Sequence, residues 1–230
     1  MNFVGPSVWA IGDSDPLFSY VKLLYHFDGN WDSALPGGSS LSPADGATFT
    51  GSGQFGSAGD FSASTDSRSV SPSGLAPFAS TDELCFEFWL YNPNAAGASS
   101  GIFNFTRTGG GSSLSANMSG TSFWMDLGAY TSAFVTITKL AWHHIAMTRK
   151  GGIMKLWIDG ELKHTGGSAN TIDYLPGGML FLGRNTATGS GAKCIVDDMR
   201  FTAGQAGSGA HRYDSGGSTY AVPSRAFQNG

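Results

Sequence analysis

The chain has 230 residues, a formal net charge of −4, 13 % charged residues and 40 % hydrophobic residues, with 34 glycines and 30 serines. So much apolar and aromatic residue excludes disorder, which goes with low hydrophobicity and high charge, and 13 basic residues without a basic run exclude the clustered lysine and arginine of a nucleic-acid binder. No stretch nears the ~18 apolar residues of a membrane-spanning helix, and the two cysteines, Cys85 and Cys194, make neither a disulfide framework nor a zinc motif.

In chain order, Met1–Tyr20 comes first, an extension without a basic region followed by an apolar stretch, so no secretory signal is expected. Its Phe3, Val4, Val8, Trp9, Ile11, Leu17 and Phe18 are too apolar for a solvated tail and belong against the domain or a neighbour. From there on, short runs of aromatic, β-branched or leucine residues recur between Gly, Ser, Asn, Asp and Pro. They predict strands over Val21–Phe27, Glu83–Tyr91, Ile102–Arg107, Ser122–Leu127, Phe134–Thr138, Trp142–Arg149, Ile153–Ile158, Glu161–Thr165, Met179–Leu182 and Cys194–Thr202. Residues 29–80 and 93–121 read as long Gly/Ser-rich loops holding short strands, among them Ala47–Thr50 and Arg68–Val70. Ala203–Gly230 reads as a second extension. Helical periodicity is nearly absent, so the expected architecture is all-β, an antiparallel two-sheet β-sandwich over residues 21–202.

The clearest local signal runs from Trp142 to Thr165. Lys150-Gly151-Gly152 and Asp159-Gly160 separate three strand-like runs, and Asp-Gly is a preferred pair for two-residue type I′ hairpins. A three-strand antiparallel meander follows. In the run before it, a period of two puts Leu84, Phe86, Phe88 and Leu90 on the face expected to meet the other sheet. Cys85, Glu87, Trp89 and Tyr91 fall on an outer face expected to be covered by loops or a partner.

Seven segments then occur in a telling order: Leu23–Gly29, Gly53–Phe61, Phe86–Leu90, Trp142–Arg149, Leu156–Gly160, Leu182–Arg184 and Ile195–Thr202. Together they resemble the laminin-G-like, concanavalin-A-like jelly-roll domains. The segment Asp15–Gly29, and a tail in which Arg212-Tyr213 precedes Tyr220-Ala-Val-Pro223 and Phe227, look like those of such domains in tailed-bacteriophage virion proteins. A longer Gly/Ser insert between Tyr213 and Tyr220 departs from that pattern and leaves the local path of the tail open.

Catalysis finds little support. Glycoside hydrolysis needs two carboxylates about 5–5.5 Å apart for retention or about 6.5–9.5 Å for inversion. Hydrolases related to the resembled family carry Glu-x-Asp-x-Glu, whereas this chain has three glutamates, Glu83, Glu87 and Glu161, in no such triplet. Asp197 and Asp198 are adjacent, so a regular strand would send them to opposite faces. The resemblance implies a possible structural calcium, for which Asp28, Asp60 and Asp198 are candidates; hydrogen bonding within turns or pairing with arginine is the alternative. His143 and His144 also diverge on a strand, and His144 reads as a hydrogen-bonded structural residue.

Trp89, Trp124 and Trp157 remain as contacts for a glycan or a partner protein, with packing in the core or under loops as the alternative. The resemblance implies a non-enzymatic virion structural protein, an accessory decoration or cement component of capsid or tail. It would be made in the host cytoplasm and carried on the virion. Its partners would be other virion proteins, the major capsid or tail protein, and further copies of itself, gripped through the extensions by Phe3, Val8, Trp9 and Phe18. A lectin-like adhesin that binds host surface glycan is the alternative.

Overall fold

A computed structural model describes residues 15–42, 47–62, 68–70, 81–93, 100–106, 112–128, 130–167, 180–183, 193–213 and 216–229. The described strands are β1 (Val21–Tyr25), β2 (Thr48–Gly53), β3 (Gly56–Asp60), β4 (Arg68–Val70), β5 (Glu83–Tyr91), β6 (Ser100–Thr106), β7 (Ser112–Ser119) and β8 (Ser122–Leu127). They continue with β9 (Tyr130–Thr131), β10 (Val135–Thr136), β11 (Trp142–Lys150), β12 (Ile153–Ile158), β13 (Glu161–Gly167), β14 (Leu180–Leu182) and β15 (Ile195–Gly204). The first sheet runs β13-β12-β11-β5-β15-β3-β2, with β1 also on β15; the second runs β10-β8-β7-β6-β14-β4, with β9 on β8. The result is the antiparallel β-sandwich that the alternation of residue types requires.

The core lies between the sheets. Leu84, Phe86, Phe88 and Leu90 of β5 face it, as do Phe103, Phe105, Leu114, Ala116, Met118, Phe123, Met125 and Leu127 from the second sheet. Phe86 and Phe103 meet across the gap with ring centroids 4.2 Å apart. Burying each such ring is worth about 1.5–3 kcal/mol.

The meander forms as its turns dictate. Asp159 and Gly160 both take positive φ, 52° and 78°, the geometry of a type I′ turn. Gly151 and Gly152 do the same at the preceding turn.

Two expectations need correction. Residues 112–119, read as loop, form an eight-residue strand. Leu114, Ala116 and Met118 alternate with Ser115, Asn117 and Ser119, so the period of two was present beneath a loop-like composition. Asp197 and Asp198 also fail to diverge. Asp197 lies opposite Trp89 and Arg200 opposite Glu87, both on the outer face, with two residues where a regular strand has one. Met199 takes the inward position, and Asp198, at φ 44°, is left on the outer side with Asp197.

The carboxyl-terminal extension packs on its own domain. Beyond β15, residues 205–213 and 216–229 cross the outer face of the first sheet as a strap. Glu83 accepts the Gly207 and Gly209 N–H groups, Tyr220 N–H donates to the Gly160 carbonyl, and Phe227 N–H donates to Asp198. Phe18 packs beside Val21, Leu24 and Phe227 on the same side. Phe3, Val8 and Trp9 lie outside the described residues.

Candidate functional site

The outer face of the first sheet is rich in polar side chains, but the chain closes it upon itself. Glu87, fully buried on β5, receives Arg200 Nε at 2.8 Å and Nη2 at 2.7 Å on Oε1, and the Tyr213 hydroxyl on Oε2. Burial alone would raise the Glu87 pKa, but Arg200, His144 and Arg212 outweigh it and hold the carboxyl well below its ordinary range. Asp15 joins Arg200 and Arg212 at 3.1 and 2.8 Å. Tyr213 and Tyr220, on either side of the Gly/Ser insert, stack 4.0 Å apart. Tyr220 meets His144 Nδ1 at 2.7 Å.

Two of the three singled-out tryptophans lie on this closed face. Trp157 is 0 % exposed, packed with Cys85, Ala146 and Tyr220, and its indole N–H donates to Thr148 Oγ1. Trp89 packs edge-on against Phe55 and His144. Both rings are spent on the protein's own packing, which corrects their reading as outward contacts. His144, read as a hydrogen-bonded structural residue, is fully buried with its Nδ1 against the Tyr220 hydroxyl.

The outer face of the second sheet is built differently. Because Leu114, Ala116, Met118, Phe123, Met125 and Leu127 point inward, Ser115, Asn117, Trp124 and Asp126 point outward. Asn104, Ser115 and Asp126 are cross-strand neighbours on β6, β7 and β8, and Asn117 lies beside Trp124. Asp126 Oδ2 accepts Asn117 Nδ2 at 2.7 Å and Ser115 Oγ at 3.0 Å, while Oδ1 accepts Thr131 Oγ1 at 2.7 Å. Three neutral donors thus fix one carboxylate. Two residues along the strand, half-buried Trp124 packs against Phe134 with centroids 4.8 Å apart, and Phe134 is 67 % exposed. An aromatic corner and an oriented carboxylate therefore share one side of the sandwich. Trp124 was legible as a contact; Asp126 was not singled out, although the alternation of Ser122–Leu127 puts it on the same face.

The three aspartates weighed as calcium ligands are placed as follows. Asp28 accepts the Ser57 N–H at 3.2 Å and Asp60 the Ser62 N–H at 2.8 Å. Asp198 pairs with His26 and accepts the Phe227 N–H at 2.8 Å. Burial would lower the His26 pKa, but its hydrogen bonds with Asp198 and Asn229 and the nearby negative charge raise it overall. Among the described residues no three His, Cys, Asp or Glu side chains converge as a metal site. Calcium takes 6–8 oxygens, so the described carboxylates do not by themselves fit one. Glu83 pairs with His211, Glu87 with Arg200 and Glu161 with Lys163.

Comparison with known proteins agrees with this fold. The family model of the concanavalin A-like lectin/glucanases superfamily matches residues 38–205, and the chain belongs to that superfamily. No curated protein matches. Domain 4 of AbnA, a GH43 extracellular arabinanase from Geobacillus stearothermophilus in complex with arabinotriose, superposes with a TM-score of 0.61 at 15 % identity, over 83 % of this chain and 95 % of that domain. The receptor binding domain of botulinum neurotoxin D gives 0.62 at 14 %, over 87 % and 54 %. The serotype D ligand binding domain in complex with N-acetylneuraminic acid gives 0.61 at 14 %, over 84 % and 50 %. The chain thus spans nearly all of the arabinanase domain and about half of the neurotoxin domains. At these identities the likeness is one of fold.

Proposed function

We propose that this member of the superfamily is a non-catalytic glycan-binding module whose recognition surface is the corner of the second sheet formed by Trp124, Phe134 and Asp126. The observation that carries the reading is the placing of Trp124 and Asp126 on one face of β8, the first beside exposed Phe134 and the second held by three donors. A sugar ring presents a flat face of C–H bonds that stacks on an aromatic ring and hydroxyls that donate to a carboxylate. Arabinotriose and N-acetylneuraminic acid on related folds support a sugar as ligand. The engagement of all three glutamates in ion pairs supports binding without turnover. The test is an array of bacterial polysaccharides probed with the wild type and with Trp124→Ala, each with and without a chelator. Binding by the wild type and its loss in the variant are expected, with only a small shift in thermal stability. An array silent to the wild type overturns the reading, and loss of binding in chelator alone would add the structural calcium that the resemblance suggested.

A second reading places the module on a bacteriophage particle as an accessory decoration or cement component. One observation favours it: the two segments that resemble virion proteins meet in space. Asp15 pairs with Arg200 and Arg212, and Phe227 packs on Val21 and Leu24. The apolar residues Phe3, Val8 and Trp9 precede Asp15 in the chain and would supply the grip on a capsid or tail protein. Sedimentation of the purified protein with particles lacking it tests this reading; failure to bind them removes it and leaves the glycan reading standing.

A further inference from the structure

We infer that Ser132 is the positioning residue of the Trp124, Phe134 and Asp126 corner, holding a one-residue bulge that turns Phe134 out beside Trp124; the inference rests on the glycan reading above. The segment that carries the bulge, β9 and β10 with the residues between them, lies along β8. Thr131 stands opposite Asp126 and Val135 opposite Phe123. Residues 132–134 therefore face residues 124–125, three against two, which is a β-bulge. The extra residue resets the alternation. Counted on from Thr131, which faces outward to Asp126, a regular strand would send Phe134 inward and Val135 outward. Instead Phe134 is 67 % exposed and meets Trp124, while Val135 packs against the core.

Ser132 absorbs the mismatch. It is buried, and its N–H donates to the Met125 carbonyl at 2.8 Å. Its hydroxyl accepts the Met125 N–H at 3.0 Å and donates to the Ala133 carbonyl at 3.1 Å. In a regular antiparallel pair that N–H would go to a backbone carbonyl of the partner strand; here a side-chain oxygen takes the place. The segment is also fixed at its ends. The Tyr130 hydroxyl bonds His164 Nε2 on β13, and the Ile137 N–H donates to the Thr121 carbonyl at 2.9 Å. Clamped in the middle, the bulge presents Thr131 to Asp126 on one side of Ser132 and Phe134 to Trp124 on the other. Removing the hydroxyl leaves a buried donor unpaired, which is costly. The segment can recover an acceptor by sliding its register, and that carries Phe134 off the Trp124 ring.

The experiment measures binding to the bacterial polysaccharide that the wild type takes from the array, by biolayer interferometry. It compares Ser132→Ala, Ser132→Cys, Phe134→Ala and the double variant Ser132→Ala with Phe134→Ala. Ser132→Ala is expected to weaken binding at least about tenfold. Ser132→Cys, whose thiol is a weaker acceptor, should fall between it and the wild type. The double variant should lose no more than Phe134→Ala alone, because Ser132 acts through the placing of Phe134; losses that add overturn the inference. Without ligand, the fluorine NMR signal of fluorotryptophan at Trp124 should move in Ser132→Ala and Phe134→Ala alike, and a signal unmoved by Ser132→Ala overturns it too. If Ser132→Ala only lowers the melting temperature while the folded protein binds as before, the inference falls and the glycan reading stands. If the wild type binds no polysaccharide, both fall. Should Ser132→Ala fail to fold, Ser132→Cys, alone and with Phe134→Ala, gives the same readings.

Discussion

Arg200 directs two nitrogens, Nε and Nη2, at a single oxygen of Glu87, and both groups are buried under the carboxyl-terminal strap. The second Glu87 oxygen takes the Tyr213 hydroxyl and lies 3.4 Å from His144 Nε2. A buried ion pair adds little net stability over an apolar replacement, but breaking one leaves an uncompensated charge. The pair therefore joins β5 to β15 beneath the strap, and it tolerates joint replacement better than single loss.

Glu87→Gln is expected to destabilise the fold by about 3–5 kcal/mol, the range for removing one partner of a buried pair. Urea titration followed by tryptophan fluorescence reads it. Glu87→Leu combined with Arg200→Met should cost clearly less than the single change. A single substitution costing under about 1 kcal/mol would show that the pair is exposed to water in solution.

Stability should fall as pH rises from about 4 to 7, owing to Asp197. Burial, with the neighbouring Asp198 charge, pushes its pKa up from 3.8 to about 7, against hydrogen bonds from the Phe55 and Asp198 N–H groups. A carboxyl raised on folding contributes stability that is whole below its unfolded pKa and is lost as pH climbs through the folded value. Glu87 works in the opposite sense, but only at lower pH, because its shift is downward. The Asp197 contribution amounts to about 2–4 kcal/mol across the window. Asp197→Asn should flatten the curve of denaturation midpoint against pH there; an unchanged slope would refute the assignment.

Gly160→Ala is expected to cost about 1–3 kcal/mol, from a left-handed φ of 78° together with a Cβ driven into the Tyr220 carbonyl oxygen. The collision is with backbone, so the strap has to lift. Hydrogen exchange at the Tyr220 amide, which donates to Gly160, should speed up more than at the amides of β11.

Trp157→Ala and Trp124→Ala should separate structure from recognition. Trp157 is buried between sheet and strap, and its truncation should cost about 3–5 kcal/mol. Trp124 packs mainly on exposed Phe134, and its loss should move the melting temperature far less. Differential scanning fluorimetry of both variants decides it, and equal shifts would place Trp124 in the packing as well.

The sandwich and its meander were legible because both depend on local information. Alternating apolar residues and the Asp159-Gly160 turn determine which strands form and which faces they bury. β7 was hidden by its serines and asparagine, whose loop-like composition masked a regular alternation. The bulge in β15 was not legible, because an extra residue opposite Phe88 shows only against a partner strand. Trp124 carried its own signal, whereas the donors that orient Asp126 come from β7 and β9 and meet it only in the folded sheet.

Period-two patterning and turn chemistry thus determined, from residue order alone, an antiparallel sandwich and the inward face of its strands. Tertiary structure decided how the outward face of the first sheet is closed. The strap returns over the first sheet because Glu87, Asp198 and Glu83 there bond Tyr213, Phe227 and His211 from the far end of the chain. Pairings across more than a hundred positions, or nearly thirty in the case of Asp198, depend on where folded backbones pass one another, and no local pattern encodes that.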